Sequence, residues 1–343
     1  MLISYAGPLA LGKPLQSNAG PTVNKVSGSD LTEDNALLRF EEAAQSKTPV
    51  PSLSGRGILI TAGGPFVPSA YVAVRLLRRL GATLPIEIWH AGDDEIPPWA
   101  RRAFEPCGVS LHDVMPYSEG RPLSEMRGWP IKPAALIHST LRDVLFLDAD
   151  CFPLRNPEFL FDSVQFREHR ALFWPDNRSH RMVDGAPIWR HTGMPFRADP
   201  EFETGIFLID KHDCWEELCL AQWMNANSSF WYRYVLGDKD TFYLAWRKRE
   251  RSYFMAPACK RYGAVVTRHY WADGKPIADH RTGASKYSLP QRWGPFAVHL
   301  APYQWRGTAK NVYDECVQRF FVKDFSLHVR LLDELKEYLV RQG

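Results

Sequence analysis

The chain has 343 residues, of which 45% are hydrophobic and 24% charged, and its formal net charge is +3. Those values are typical of a soluble globular protein with room for one large α/β domain or two small ones. So mild a charge, with basic residues scattered along the chain, excludes nucleic-acid binding by charge alone, and no apolar run reaches the roughly 20 residues that cross a bilayer.

Residues 1–54 are rich in Ser, Gly, Pro and Asn and read as a flexible leader or loosely docked stem, with one weakly helical piece from Leu31 to Gln45. The stretch from Ile3 to Leu11 has no basic n-region before it, so no signal peptide is expected. Residues 55–343 read as a single domain. Its first strand is Ile58 to Thr61, followed by Ala-Gly-Gly-Pro. A helix follows, with Ser69 as its expected N-cap, Val72, Leu76 and Leu80 on one face, and Gly81 as its stop. Pro85 to Trp89 and Val109 to Val114 are the next expected strands. Lys132 to Ser139 reads as a short helix and Val144 to Leu147 as a buried strand. Further strands are expected at Ala171 to Trp174 and Ile206 to Ile209, with helices at Trp215 to Asn225, Asp240 to Lys248 and Ser326 to Val340. Strands alternating with helices predict an α/β fold with a mostly parallel sheet flanked by helices. The six cysteines contain no C-x-x-C pair, which argues against structural zinc. Buried thiols and disulfides both remain open readings.

The most informative segment is Val144-Leu145-Phe146-Leu147-Asp148-Ala149-Asp150. A wholly apolar strand is buried on both faces, and ligands bind beyond the carboxyl ends of such strands. Side chains alternate along a strand, so Asp148 and Asp150 project to one side. Two like charges there need a cation between them. A hard divalent ion, Mn2+ or Mg2+, suits oxygen ligands whose shell is completed by substrate phosphates, which describes a nucleoside-diphosphate site. The same fold logic brings Thr61, Ala62 and Gly63, in the first strand-to-helix loop, against a nucleotide, where glycine admits close approach of backbone amides.

Leu147-Asp148-Ala149-Asp150 resembles the D-x-D motif of GT-A glycosyltransferases. Leu84 to Trp89, Trp129-Pro130-Ile131-Lys132-Pro133-Ala134-Ala135-Leu136, Phe173-Trp174-Pro175-Asp176, Glu203-Thr204-Gly205 and Gly237-Asp238-Lys239-Asp240-Thr241-Phe242 occur in order around it. Together, over roughly Gly57 to Tyr303, they resemble the α-mannosyltransferase family that extends mannan in the fungal Golgi. The resemblance implies a GT-A (Rossmann-like) fold, a GDP-mannose donor, a carbohydrate acceptor, Mn2+ and retention of anomeric configuration. It implies that His299 completes the metal site with Asp148 and Asp150, and that Lys132 reaches the diphosphate. It also implies that Glu203, Asp238 and Asp240 border the sugar cleft, where a carboxylate binds hydroxyls or stabilises an oxocarbenium-like transition state. Asp238 and Asp240 have a local explanation too, as an N-cap and a first-turn acid. His269 and His280 are weaker candidates than His299. Among the tryptophans Trp174 is the expected sugar contact, because Asp176 lies beside it.

Fungal members carry an N-terminal membrane anchor and stem, and no anchor is visible in this sequence. The expected location is cytoplasmic, or the Golgi lumen if an anchor precedes it, and peripheral membrane association is compatible with either. Three other readings remain: a UDP-sugar-dependent hexosyltransferase, a phosphatase of the haloacid-dehalogenase type, and a non-catalytic glycan-binding protein. The phosphatase type also has D-x-D after a strand, but it continues with a small hydroxyl or β-branched residue where this chain has Phe152.

Overall fold

The computed structural model describes residues 31–96, 98–118, 120–176, 182–262 and 266–281. His299, Trp305 and the expected helix from Ser326 to Val340 lie outside them.

In chain order the strands are β1 (Ser54–Thr61), β2 (Ile86–His90), β3 (Val109–Asp113), β4 (Leu141–Asp148), β5 (Cys151–Pro153), β6 (Ala171–Pro175), β7 (Phe202–Asp210), β8 (Phe254–Met255), β9 (Lys260–Tyr262), β10 (Val266–Tyr270) and β11 (Pro276–Arg281). The helices are α1 (Ala36–Gln45), α2 (Val67–Arg79), α3 (Pro98–Phe104), α4 (Leu123–Met126), α5 (Ile131–His138), α6 (Val164–His169), α7 (Pro187–Thr192), α8 (Trp215–Ala226), α9 (Ser228–Trp231) and α10 (Asp238–Lys248).

Among the described residues, seven strands form one sheet in the order β3-β2-β1-β4-β7-β6-β8, and β5-β11-β10-β9 form a second. β1 pairs parallel with β2 and β4, β2 with β3, and β6 with β8. This is the mostly parallel α/β layer fold that the alternating pattern predicts. β7 departs from it, running antiparallel to both β4 and β6. An apolar run reports burial on both faces but not direction.

Alternation divides the core between the two faces of the sheet. Leu59, Phe146, Phe207 and Ile209 face α1, α5, α8 and α10, whereas Ile58, Ile60, Leu145, Leu147 and Leu208 face α2, α3 and α6. Ser69 lies inside α2 rather than capping it. The helix starts two residues earlier, after a Gly-Pro-Phe turn. Gly81 follows the helix with φ +88°, a left-handed conformation that favours glycine.

Residues 31–54, expected in the leader, join the domain. Phe40 of α1 is fully buried, packing edge to face on Trp231 with ring centroids 5.6 Å apart. The docking rests on Ala36, Phe40 and Ala44, which fall four apart on one buried stripe, whereas Leu37 and Leu38 beside them stay exposed and blur the pattern in the sequence. The five described cysteines are free thiols.

Candidate metal and donor site

β4 runs apolar and buried from Val144 to Leu147 and delivers Asp148 at its carboxyl end, level with Thr61 on β1. The chain then turns at Ala149-Asp150 into β5, which leaves the main sheet and pairs antiparallel with β11. That register sets His280 opposite Cys151, and the Arg281 amide donates to the Asp150 carbonyl at 2.9 Å. The second sheet thereby folds a histidine over the acidic pair. His280 Nε2 lies 3.3 Å from Asp150 Oδ1 and 3.8 Å from Asp148 Oδ2.

Asp148, Asp150 and His280 each offer a donor atom, all within 4.8 Å of one another. Two hard carboxylates and one imidazole fit a divalent cation such as Mn2+ or Mg2+. The other ring nitrogen of His280, Nδ1, is 3.2 Å from Glu203 Oε1. A carboxylate behind a ligating histidine fixes its orientation and tautomer. Burial alone would lower the His280 pKa, but the charges of Glu203 and Asp150 raise it well above the ordinary imidazole value. Burial would raise the Glu203 carboxyl. The charge and hydrogen bond of His280 reverse this and hold it well below the usual range, helped by the Gly205 amide, which donates to Oε1 at 2.7 Å. His269, also buried, is pushed down to about 4 by desolvation and stays neutral.

Lys132, at the first turn of α5, is buried. Its Nζ is 3.0 Å from Asp148 Oδ1 and 2.9 Å from Asp238 Oδ2, and it donates to Thr204 O and Oγ1 at 3.0 and 3.1 Å. The sequence reading aims this lysine at a diphosphate; the structure commits it to two carboxylates and a threonine, so that it ties α5, β4, β7 and α10 together. Burial raises the Asp148 carboxyl, and the positive charges of Lys132 and His280 oppose that.

Lys239 gathers a second group of acids: Asp240 at 2.6 Å, and Asp176 and Glu201 at 3.1 Å each. The Leu236 amide also donates to Asp240 Oδ2 at 2.7 Å. Asp238 is in the first turn of α10 and Gly237 is the cap residue, so the N-cap explanation of Asp238 does not apply. Trp174 is fully buried and its indole N–H donates to the Tyr270 carbonyl at 2.8 Å, which makes it a core residue rather than a sugar platform. Ala62 and Gly63 stand beside Thr61 at the same edge as Asp148. The Glu95 carboxylate lies against Gly63 where any side chain would sit, and burial pushes its pKa up to about 7.

The site therefore joins Asp148, Asp150, Lys132, Glu203 and Asp238, and brings in His280, which the sequence reading ranks below His299. One sequence signal for His280 exists. Asp273-Gly274 marks a hairpin between two short strands, and the second strand ends Asp279-His280-Arg281. Its pairing with β5, more than a hundred residues earlier, has no local signature.

A D-x-D pair with a histidine at the carboxyl edge of a mostly parallel sheet resembles the arrangement expected of a GT-A glycosyltransferase. Residues 55–186 match the protein family described as "Mannosyltransferase putative". The chain is 26% identical over 237 residues to the α-1,2-mannosyltransferase MNN2 of Candida albicans, covering 55% of this chain and 40% of that protein. It is 25% identical over 251 residues to the α-1,2-mannosyltransferase MNN5 of Saccharomyces cerevisiae, covering 55% and 42%. The chain thus spans less than half the length of these curated relatives. Among solved structures it is similar to the galactosyltransferase LgtC, with TM-score 0.43 and 15% identity over 58% of this chain and 73% of that one. Mouse xyloside xylosyltransferase 1 gives TM-score 0.41 and 15% identity over 58% and 84%. The chain is a homologue of α-mannosyltransferases.

Proposed function

We propose that this protein is a metal-dependent retaining α-mannosyltransferase that moves mannose from GDP-mannose to a hydroxyl of a glycan. The observation that carries the reading is the convergence of Asp148, Asp150 and His280 within 4.8 Å at the carboxyl end of β4. A divalent ion held by these three would neutralise the charge on a leaving diphosphate. Lys132 fixes the direction of Asp148 and offsets its charge, Glu203 presents the His280 imidazole, and Gly63-Gly64, beyond the Ala62 amide that donates to the Trp89 carbonyl, give the nucleotide close approach to the backbone. The carboxylates around the pair are already engaged: Asp238 with Lys132, Asp240 with Lys239, and Glu203 with the ring nitrogen of His280 that faces away from the acidic pair. That pairing favours attack by the acceptor on the face from which the diphosphate departs over a covalent glycosyl-enzyme.

Thermal unfolding with GDP and with UDP, each with and without Mn2+, tests the reading on wild type and Asp148→Ala, because a ligand that binds only the folded state raises the melting temperature. The expected result is a rise of several degrees that needs both GDP and Mn2+ and is lost in the variant. The same pattern with UDP would replace the donor, and no shift with either nucleotide would overturn the metal–diphosphate site.

A further inference from the structure

Nearly every tryptophan whose surroundings are described is buried, at most 8% exposed, and Trp129 alone stands at 54%. It is not loosely placed. Its six-membered ring rests on Gly237, where a Cβ would come 2.5 Å from Cε3 and 3.0 Å from Cζ3. The Gly237 backbone is extended, so what the position requires of glycine is room for this indole. Tyr232 meets the ring edge to face, with centroids 5.8 Å apart at 64°. The Trp129 carbonyl accepts from the Lys132 amide at 3.2 Å, which ties the tryptophan to the start of α5.

Its position relative to the site is equally defined. Gly237 is followed by Asp238, whose carboxylate shares Lys132 with Asp148. An indole held open to solvent is thus set within a few side-chain contacts of the acidic pair.

An exposed, immobilised aromatic face suits a pyranose ring. The C–H groups on one face of the sugar are apolar and slightly positive, and they meet the negative face of the ring system while the hydroxyls stay hydrated at the edges. Immobilising the indole in advance removes the ordering cost from binding. We propose that Trp129 is the platform on which a hexopyranose of the acceptor glycan stacks. This rests on the glycosyltransferase reading above. The donor sugar is tethered through its diphosphate at the end of β4, whereas the acceptor arrives from solvent, the side on which Trp129 is open.

The test compares wild type, Trp129→Ala and Trp129→Phe in the full chain. Saturation-transfer NMR with methyl α-mannopyranoside reads acceptor binding without turnover, initial rates with GDP-mannose give the two KM values, and the GDP and Mn2+ thermal shift reads the donor site. The expected result is that Trp129→Ala loses the saturation signal and raises the acceptor KM about tenfold or more, that Trp129→Phe recovers most of both, and that donor KM and the thermal shift are unchanged. An unchanged acceptor KM, no mannoside signal with wild type, or a rise in donor KM instead would overturn the platform while the thermal shift still stands for the donor site. Loss of the wild-type shift would overturn the underlying reading.

Discussion

Gly205 has no side chain because His280 occupies the space: a Cβ there would lie 2.5 Å from Nδ1 and 2.7 Å from Cε1 of the imidazole. The ring is wedged between this glycine, Glu203 and Asp150, and it cannot rotate away without losing its Glu203 contact. Gly205→Ala adds one methyl group on backbone that any residue adopts, so β7 should persist while the imidazole is displaced. The expected outcome is a fall in Mn2+ affinity of about 10- to 100-fold, as for loss of an orienting partner, with the far-UV spectrum unchanged. Titration of Mn2+ followed by the paramagnetic resonance of the free ion measures it, and unchanged affinity would remove His280 from the ligand set. The sequence alone reaches Asp148 and Asp150 because a strand's alternation is local. It ranks His280 low because that histidine's importance comes from a sheet pairing between distant segments. Trp174 shows the opposite failure: adjacency to Asp176 suggests a cleft, but β6 is buried on both faces, so the indole lies in the core whichever way it points.

β1 to β4, β6 and β7 and helices α1, α2, α5, α8 and α10 follow from the sequence, with boundaries within about five residues of those expected, whereas the second sheet, β8 and the shorter helices do not. What periodicity does not carry is direction and docking. β7 is antiparallel, so it begins, rather than ends, at the site, and this is how Glu203, Thr204 and Gly205 reach the acidic pair. Its apolar run is equally compatible with a parallel strand. α1 is the second case. A helix of ten residues is marginal in isolation, and its stability must come from packing. Phe40 supplies that packing against Trp223 and Trp231 with the Lys248 ammonium over its ring, and Lys248 also pairs with Glu41. Phe40→Ala should therefore cost about 3–5 kcal/mol of stability, the range for deleting a fully buried phenylalanine. Urea unfolding would show the lowered midpoint, and a loss below about 1 kcal/mol would mean that the helix is a peripheral stem after all.

At the scale of the whole molecule, the sheet separates two kinds of buried charge. The acids and Lys132 lie at the carboxyl end of β4, while Lys211 lies at the other end, its amide donating to the Arg142 carbonyl at 2.8 Å. The Lys211 side chain is fully buried and its Nζ donates to the Ser139 carbonyl at 2.5 Å. Desolvation pushes its pKa down to about 7, opposed only in part by the charge of Glu87. An unfolded lysine titrates near 10.4. Between these values the unfolded chain holds a proton that the folded chain has released, so folding stability rises with pH across that window. The gain is complete above the unfolded value and is lost as pH falls through about 7, where the charged ammonium is buried at full cost. Lys211→Met removes this titration. It also removes the hydrogen bond to Ser139, at a cost of about 1 kcal/mol that does not vary with pH, so the diagnostic quantity is the slope rather than the sign of the difference. The stability of wild type relative to Lys211→Met should be flat below about pH 7 and then climb by up to about 1.4 kcal/mol per pH unit toward pH 9. Urea midpoints of the two proteins at fixed salt from pH 6 to 9 measure it. A difference independent of pH would mean that the ammonium stays charged in the folded chain. Because the lysine is separated from Asp148 by the length of β4, about 20 Å, the substitution should leave the Mn2+-dependent nucleotide shift intact at each pH.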